Sequence, residues 1–358
     1  MTPLYLDANA TEPLRPAARQ AALEALDLIG NPSSVHGAGR AARQVLEQAR
    51  ARLAERFGAR PRDVVFTSGA TEANALALHG LGRGRRILAG ATEHPAILRA
   101  APDITLLPVR RDGRIDLAAL AAALAEAPGA LVCLMASNNE TGVLHPLEEV
   151  LRICRVHEAL LHVDAVQSAG RLPLDLAALG ADSMAISAHK LGGPKGAGAL
   201  LLRPGLDVAA LLPGGGQERG RRGGTEALPA IAGLAAAVAA LDLAEGRRLA
   251  VLRDAIEAGA GATVVGAEAP RLPNTACLLL PSVPAETQVI ALDLAGVQVS
   301  AGSACSSGKV SVSPVLQAMG LGADAGCAIR VSLPWNAPED AAERFLAAYG
   351  AMRQRLGR

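Results

Sequence analysis

Ser187-Ala188-His189-Lys190-Leu191-Gly192-Gly193-Pro194-Lys195-Gly196-Ala197-Gly198 is the stretch from which the rest of the chain is read. The apolar run Ser183-Met184-Ala185-Ile186 leads into the His-Lys pair, and the four glycines and one proline after Lys190 give the next residues a loop-like character. A lysine held at the end of a strand, against backbone with few side chains, is partly stripped of water. Its amine then becomes a nucleophile toward carbonyl compounds. A surface turn with two solvated lysines, Lys190 and Lys195, accounts for the same residues, so the choice falls to the rest of the sequence.

Outward from this stretch the pattern alternates. Apolar runs at 64–66, 87–89, 104–109, 130–136, 160–163, 184–186 and 198–202 are separated mostly by helical patterns at 72–79, 116–127, 146–158 and 174–179. Strands alternating with helices imply right-handed crossovers and a mainly parallel sheet covered on both faces, with ligands at the carboxyl ends of the strands. Two helices are expected ahead of it, over 16–28 and from about 39 to 57, with the polar loop Gly30-Asn31-Pro32-Ser33-Ser34-Val35-His36-Gly37 between them. Beyond it, the fifteen residues Leu211–Thr225 hold seven prolines and glycines and three arginines. One long Ala-rich helix over 226–258 is expected to leave that loop for a second domain. There, strands are expected near 262–265, 275–280 and 329–333, and helices near 285–294, 312–319 and 338–355.

The bulk numbers narrow the chemistry. A chain of 358 residues exceeds the usual size of a single core, so two domains are expected. Net charge is +1, with no basic block and no aromatic interleaving, which gives a nucleic acid or an anionic membrane no electrostatic handle. Five cysteines without close pairs (Cys133, Cys154, Cys277, Cys305, Cys327) fit neither a disulfide framework nor a zinc site, and a reducing cytoplasm is the natural setting. The N-terminus lacks a leader pattern, and Gly, Pro or charge breaks every Ala/Leu stretch before it could span a bilayer.

Four further stretches carry chemistry. Strand 64–67 runs into Ser68-Gly69-Ala70-Thr71-Glu72-Ala73-Asn74, where small residues and a helix N-terminus make an anion or phosphate seat, although ordinary capping by Ser68 or Thr71 also explains them. Leu161-His162-Val163-Asp164-Ala165-Val166-Gln167 puts an aspartate at the end of a buried strand, where it needs a partner. A protonated pyridine nitrogen, as in pyridoxal phosphate (PLP), would be one; an arginine or the next helix N-terminus would be others. Thr92-Glu93-His94-Pro95 and Asn138-Asn139-Glu140-Thr141-Gly142 follow strands toward the same crevice. Ser300-Ala301-Gly302-Ser303-Ala304-Cys305-Ser306-Ser307-Gly308 gives Cys305 little apolar cover, unlike Cys133 in its core strand, and suits a thiol nucleophile that travels.

Together these stretches resemble the cysteine desulfurases of the NifS/IscS group, within the class V aminotransferase family of fold-type I PLP enzymes. The most specific pieces are Ser-Ala-His-Lys followed by Gly-Pro-Lys-Gly, and Gly-Ser-Ala-Cys more than a hundred residues later. The resemblance implies an α/β fold, with a large domain over 14–245 built on a mainly parallel seven-stranded sheet. A smaller α+β domain would be formed by 1–13 with 246–358 and carry the cysteine loop. Lys190 would hold PLP as a Schiff base, with Ser187 and His189 at the phosphate, Ala70 and Thr71 in the phosphate turn, Asp164 at the ring nitrogen and Gln167 at the ring hydroxyl. His94 would stack on the ring and move protons. Asn139 would touch cofactor or substrate, Asn31 and Arg330 the substrate carboxylate, and Thr225 the phosphate of a neighbouring subunit, which calls for a homodimer. Lys195 would be structural. Cys305 would attack the sulfur of L-cysteine, leaving L-alanine and a persulfide for an acceptor protein such as an iron–sulfur scaffold or a tRNA-thiolation protein. No metal is expected beyond a nascent iron–sulfur cluster at Cys305.

Two departures accompany the resemblance: Asp7-Ala8-Asn9-Ala10-Thr11-Glu12 replaces the more usual Asp-Asn-Ala-Ala-Thr-Thr, and Ser313-Pro314 the frequent Ser-His. An aminotransferase or selenocysteine lyase of the same family is the alternative, and Cys305 discriminates because transamination needs no thiol. A nucleotide-binding loop over 192–198 is opposed by the glycines following the lysine instead of preceding it.

Overall fold

The computed structural model describes residues 2–302 and 312–356; Cys305 lies outside the described residues. Its larger sheet has seven strands in the spatial order Val64–Thr67, Gly198–Leu202, Ser183–Ser187, Leu160–Asp164, Leu131–Met135, Ile87–Gly90, Ile104–Leu107. All neighbours run parallel except Gly198–Leu202, which is antiparallel to both strands it joins. The two-residue period of a strand sends alternate side chains to opposite faces, and each face meets its own helices. Val64 and Phe66, Val132 and Leu134, Met184 and Ile186 enter the core shared with helices Gly37–Arg56 and Leu228–Ala239, while Val65, Cys133 and Ala185 pack with helix Ala70–Leu81 on the other side. Near-continuous apolar runs are the signature of strands buried on both faces.

A second apolar core surrounds a four-stranded antiparallel sheet ordered Ser300–Ala301, Ala328–Ser332, Thr275–Leu279, Thr263–Val264. Phe345 and Tyr349 of helix Ala341–Leu356 stack there with ring centroids 5.2 Å apart. The strand Leu4–Tyr5 pairs in parallel with Val297–Gln298, so the start of the chain belongs to this core as well.

The single helix expected over 226–258 is instead two, Leu228–Ala239 and Ala244–Ala260, bent by 79°. Composition hid the break, which polar groups create: Arg15 Nη1 donates to the carbonyl of Ala240 (3.2 Å), and Asp242 Oδ1 accepts from the amide of Ala244 (2.8 Å), offering the backbone partners outside the helix. Smaller differences have similar causes. The strand expected to reach residue 109 stops at Leu107, ahead of Pro108, and the helix expected from 312 starts at Pro314, with Ser313 capping the amide of Leu316 (3.1 Å). Among the described residues no single helix is long and apolar enough to cross a membrane.

The Gly-rich loop ahead of Thr225 is pinned from inside. Glu218, in the left-handed region at φ 47°, takes both Nη atoms of Arg50 (2.7 and 2.8 Å) and the amide of Phe66 (2.8 Å), with both side chains buried. Removing one partner of such a pair leaves a buried charge uncompensated. Arg50→Ala is therefore expected to destabilise the fold by about 3–5 kcal/mol; urea unfolding midpoints of the two proteins check this, and equal midpoints would contradict it.

Candidate functional site

The carboxyl ends of the central strands open onto a cleft of about 700 Å³. Asp164 and Ser187 are the last residues of their strands, and His94 lies four residues beyond Gly90, so strand geometry alone delivers these groups to one place. Ala70, Thr71, Asn139, Gln167, His189, Lys190 and Arg330 line the same cleft. Two loops meet closely at its floor: a Cβ on Gly198 would come within 2.6 Å of the carbonyl carbon of Gly69. Glycine there lets the strand that ends the lysine loop approach the turn before helix Ala70–Leu81. Gly192, at φ 88°, makes the left-handed turn that follows Lys190.

Lys190 sits at the end of the short turn Ala188–Lys190, and its Nζ donates to the carbonyls of Asn9 (2.5 Å) and Ala10 (3.0 Å). Those carbonyls come from the stretch that departs from the usual family run. Asn9 is fixed in turn: its Nδ2 donates to Asn139 O (3.1 Å) and Thr275 Oγ1 (2.9 Å), and its Oδ1 accepts from Asn274 Nδ2 (3.2 Å). Lys195 lines the cleft too.

Gln167 has a settled orientation. Its Oε1 accepts from Arg171 Nη1 (2.7 Å), so Nε2 carries the two protons, one of which goes to Asn9 O (3.0 Å). The other is available to an acceptor. Arg171 is held by Glu12 (3.0 Å), itself buried. His94 is settled as well. Its Nδ1 accepts from the amide of Ala96 (3.1 Å), and burial, aided by Lys190 and opposed by Asp164, pushes its pKa down. The neutral ring therefore carries its proton on Nε2.

Burial pushes the Asp164 carboxyl up, countered by the amide of Val166 on Oδ1 (3.0 Å), Asn74 Nδ2 on Oδ2 (2.7 Å), His94 and Lys190. His189 falls to about 4 through burial and the adjacent Lys190 and Lys195, with Nδ1 3.1 Å from Thr11 Oγ1. Burial would raise Glu72, but hydrogen bonds from Arg222 and Ser68 outweigh it and hold the carboxyl low. Arg330 donates to Asn139 O (3.1 Å) and Asp7 Oδ1 (2.6 Å); among the described residues its Nε has no partner.

Three expected residues are not in this group. Asn31 is exposed, with Oδ1 on the amide of Ser33 (2.8 Å), and Thr225 is exposed; neither lines the cleft of its own chain. Cys305 is outside the described residues. Of the other cysteines, burial pushes Cys154 and Cys277 up to about 12 and Cys133 well above its ordinary value, so none of these three is a thiolate at neutral pH. Among the described residues no group of three or more His, Cys, Asp or Glu is placed to hold a metal.

The donor set fits PLP. A helix N-terminus with Lys195 and His189 nearby suits a phosphate, a buried carboxylate suits a pyridinium N–H, the spare Gln167 proton suits a ring oxygen, and Lys190 supplies an amine. Sequence reading passed over Asn9, Asn74, His162 and Arg171. A signal existed for two of them: His162 is two residues from Asp164 on one strand, and Asn74 is one helical turn from Ala70.

The family described as Aminotransferase class-V matches residues 4–345. A cysteine desulfurase of Cereibacter sphaeroides is 40% identical over 338 residues, covering 89% of this chain and 87% of that protein. The cysteine desulfurase IscS of Dictyoglomus turgidum is 38% identical over 337 residues, covering 88% and 85%. Among solved structures, the NifS-like protein of Rickettsia africae superposes with a TM-score of 0.92 at 33% identity, covering 98% of this chain and 99% of that one.

Glu93, next to His94, generates a pH prediction. Its Oε1 accepts from the amide of Met135 (2.8 Å), Oε2 has no partner among the described residues, and burial pushes its pKa well above 4.5. The folded state thus binds a proton that the unfolded state has released. Its contribution to stability is full below about pH 4.5 and is lost as pH rises toward the folded value, by up to about 1.4 kcal/mol per pH unit. Glu93→Gln, which stays neutral, is expected to gain in Tm over wild type between pH 5 and pH 8; a constant difference would contradict the assignment.

Proposed function

The chain belongs to the class-V aminotransferase family, and from that membership we propose that it is a PLP-dependent cysteine desulfurase converting L-cysteine to L-alanine and handing the sulfur on as a persulfide of Cys305. The observation that carries the reading is one cleft that joins Lys190, the buried carboxylate Asp164 and the N-terminus of helix Ala70–Leu81. The cofactor, when bound, supplies an electron sink for bond breaking at the substrate α-carbon.

This chain's own residues do the rest. Lys190 holds the cofactor through its amine, with Asn9 O and Ala10 O setting where Nζ lies, and afterwards moves the proton at the substrate α-carbon. Ala70, Thr71, Ser187 and His189 hold the phosphate, Gln167 the ring oxygen, Asp164 the ring nitrogen. His94 covers the ring and gives or regains a proton at Nε2. Arg330, which lines the cleft beside Asn139, takes the substrate carboxylate. The Cys305 thiolate attacks the substrate sulfur: an S–S bond forms and the C–S bond breaks, its electron pair staying on carbon, which takes up a proton to become alanine.

The same proposal makes the enzyme a homodimer, in which Thr225, exposed in the single chain, serves the phosphate site of a second copy. Asn31 would meet substrate only in some arrangement other than its own chain's cleft. The sulfur acceptor is a separate protein, such as an iron–sulfur scaffold. A division into 14–245 and 1–13 with 246–358 is supported by two separate apolar cores, and unpaired cysteines support a reducing, cytoplasmic setting.

Cys305→Ala is expected to keep the absorbance of bound PLP while losing sulfide and alanine production from L-cysteine by at least about a hundredfold, the scale of a deleted nucleophile. Lys190→Ala is expected to lose the absorbance band itself. Wild-type sulfide release from Cys305→Ala would remove the persulfide mechanism.

A further inference from the structure

Asp164 heads a series of four buried side chains, from three elements, that touch one after another. Asn74 Nδ2 is 2.7 Å from Asp164 Oδ2, His162 Nε2 is 2.9 Å from Asn74 Oδ1, and Ser183 Oγ is 2.8 Å from His162 Nδ1. Asn74, His162 and Ser183 are each 0% exposed. The backbone explains the alignment. His162 and Asp164 share one face of their strand, Ser183 stands opposite His162 in the register of the next strand, and helix Ala70–Leu81 lowers Asn74 between the histidine and the aspartate.

We propose that Ser183, His162 and Asn74 form a directed hydrogen-bond relay that keeps the Asp164 carboxylate ionised and fixed toward the cofactor's ring nitrogen, making Asn74 and His162 positioning residues. The proposal rests on the reading of PLP with Asp164 at that nitrogen.

Each direction in the chain is forced by the one before it. A carboxylate only accepts, so Asn74 must turn its NH₂ to Asp164, which leaves its carbonyl oxygen facing His162. That oxygen only accepts, so His162 carries its proton on Nε2. Burial lowers His162 to about 3, so the ring is neutral, its Nδ1 accepts, and the Ser183 hydroxyl donates. Were Asn74 rotated, its oxygen would face the carboxylate, an arrangement tolerable only with Asp164 protonated. In the protonated state all three bonds can run the other way. The reversed relay therefore requires a protonated Asp164, and a donor at His162 Nε2 favours the ionised form. With the Val166 amide on Oδ1, the relay supplies a second fixed donor, on Oδ2, that compensates for desolvation of the carboxylate.

The test loads wild type, His162→Leu and His162→Gln with ¹⁵N-labelled PLP and reads the ring-nitrogen shift by NMR at fixed pH, beside cofactor affinity and steady-state kinetics on L-cysteine. Glutamine places an amide N–H near the position of Nε2, whereas leucine fills the space without a donor. Wild type and His162→Gln are expected to show a protonated ring nitrogen. His162→Leu should show a reduced protonated fraction, about tenfold weaker cofactor binding and about tenfold lower kcat with KM within about twofold, as a one-unit shift in the ion pair would give. A wild-type nitrogen shift in fully loaded His162→Leu would overturn the relay alone. If wild type binds no labelled PLP, the cofactor reading falls and the relay with it. Should His162→Leu not fold, His162→Asn, whose amide is too short to reach Asn74, replaces it: a nitrogen shift like that of His162→Gln would overturn the relay, and a lower protonated fraction would support it.

Discussion

A carboxylate in a dry interior is the constraint on which the rest of this molecule's centre depends. Moving such a charge out of water costs several kcal/mol unless fixed dipoles replace the lost solvent. At Asp164 the replacements come from the next turn of backbone, from a helix on one face of the sheet, and from the charge of Lys190 across the cleft. The parallel sheet serves this end by putting strand termini side by side, and the two-residue period of each strand sorts what supports the carboxylate from what faces substrate. Structural necessity and chemical use coincide here: the groups that make the buried charge tolerable also aim it.

Much of this was legible in the residues. The seven core strands follow from apolar runs too continuous for a one-sided sheet, and the Lys190 loop from its glycines. The site residues at strand ends could be named because strand ends are where open α/β sheets expose side chains. What escaped was non-local. The bend after Ala239 depends on Arg15 reaching a carbonyl 225 positions away, which no helical propensity encodes. Asn9 and Arg171 act through orientation, one holding Lys190 through its carbonyl and the other fixing which end of Gln167 bears protons. Asn31 and Thr225 were assigned by resemblance, and a single chain leaves both on its surface.

The segment from Leu4 to Glu12 ties distant parts of the molecule together. It pairs with Val297–Gln298, bridges to Ser332, offers its Asn9 and Ala10 carbonyls to Lys190 and sends Glu12 to Arg171. One short strap thus connects the second core to the floor of the cleft. Its position is over-determined, since each contact is made to a different element.

That strap also sets an order of assembly. Its partners at Arg330 and Ser332 lie 323 residues further along, near the far end of the chain. During synthesis the first residues to emerge must wait, unpaired, until almost the last have emerged too, and contacts of such long sequence separation form late because loop closure must be met before any contact is gained. The large sheet can close well before then. The surroundings of the reactive lysine cannot, so the enzyme acquires its chemistry only when nearly the whole chain is present.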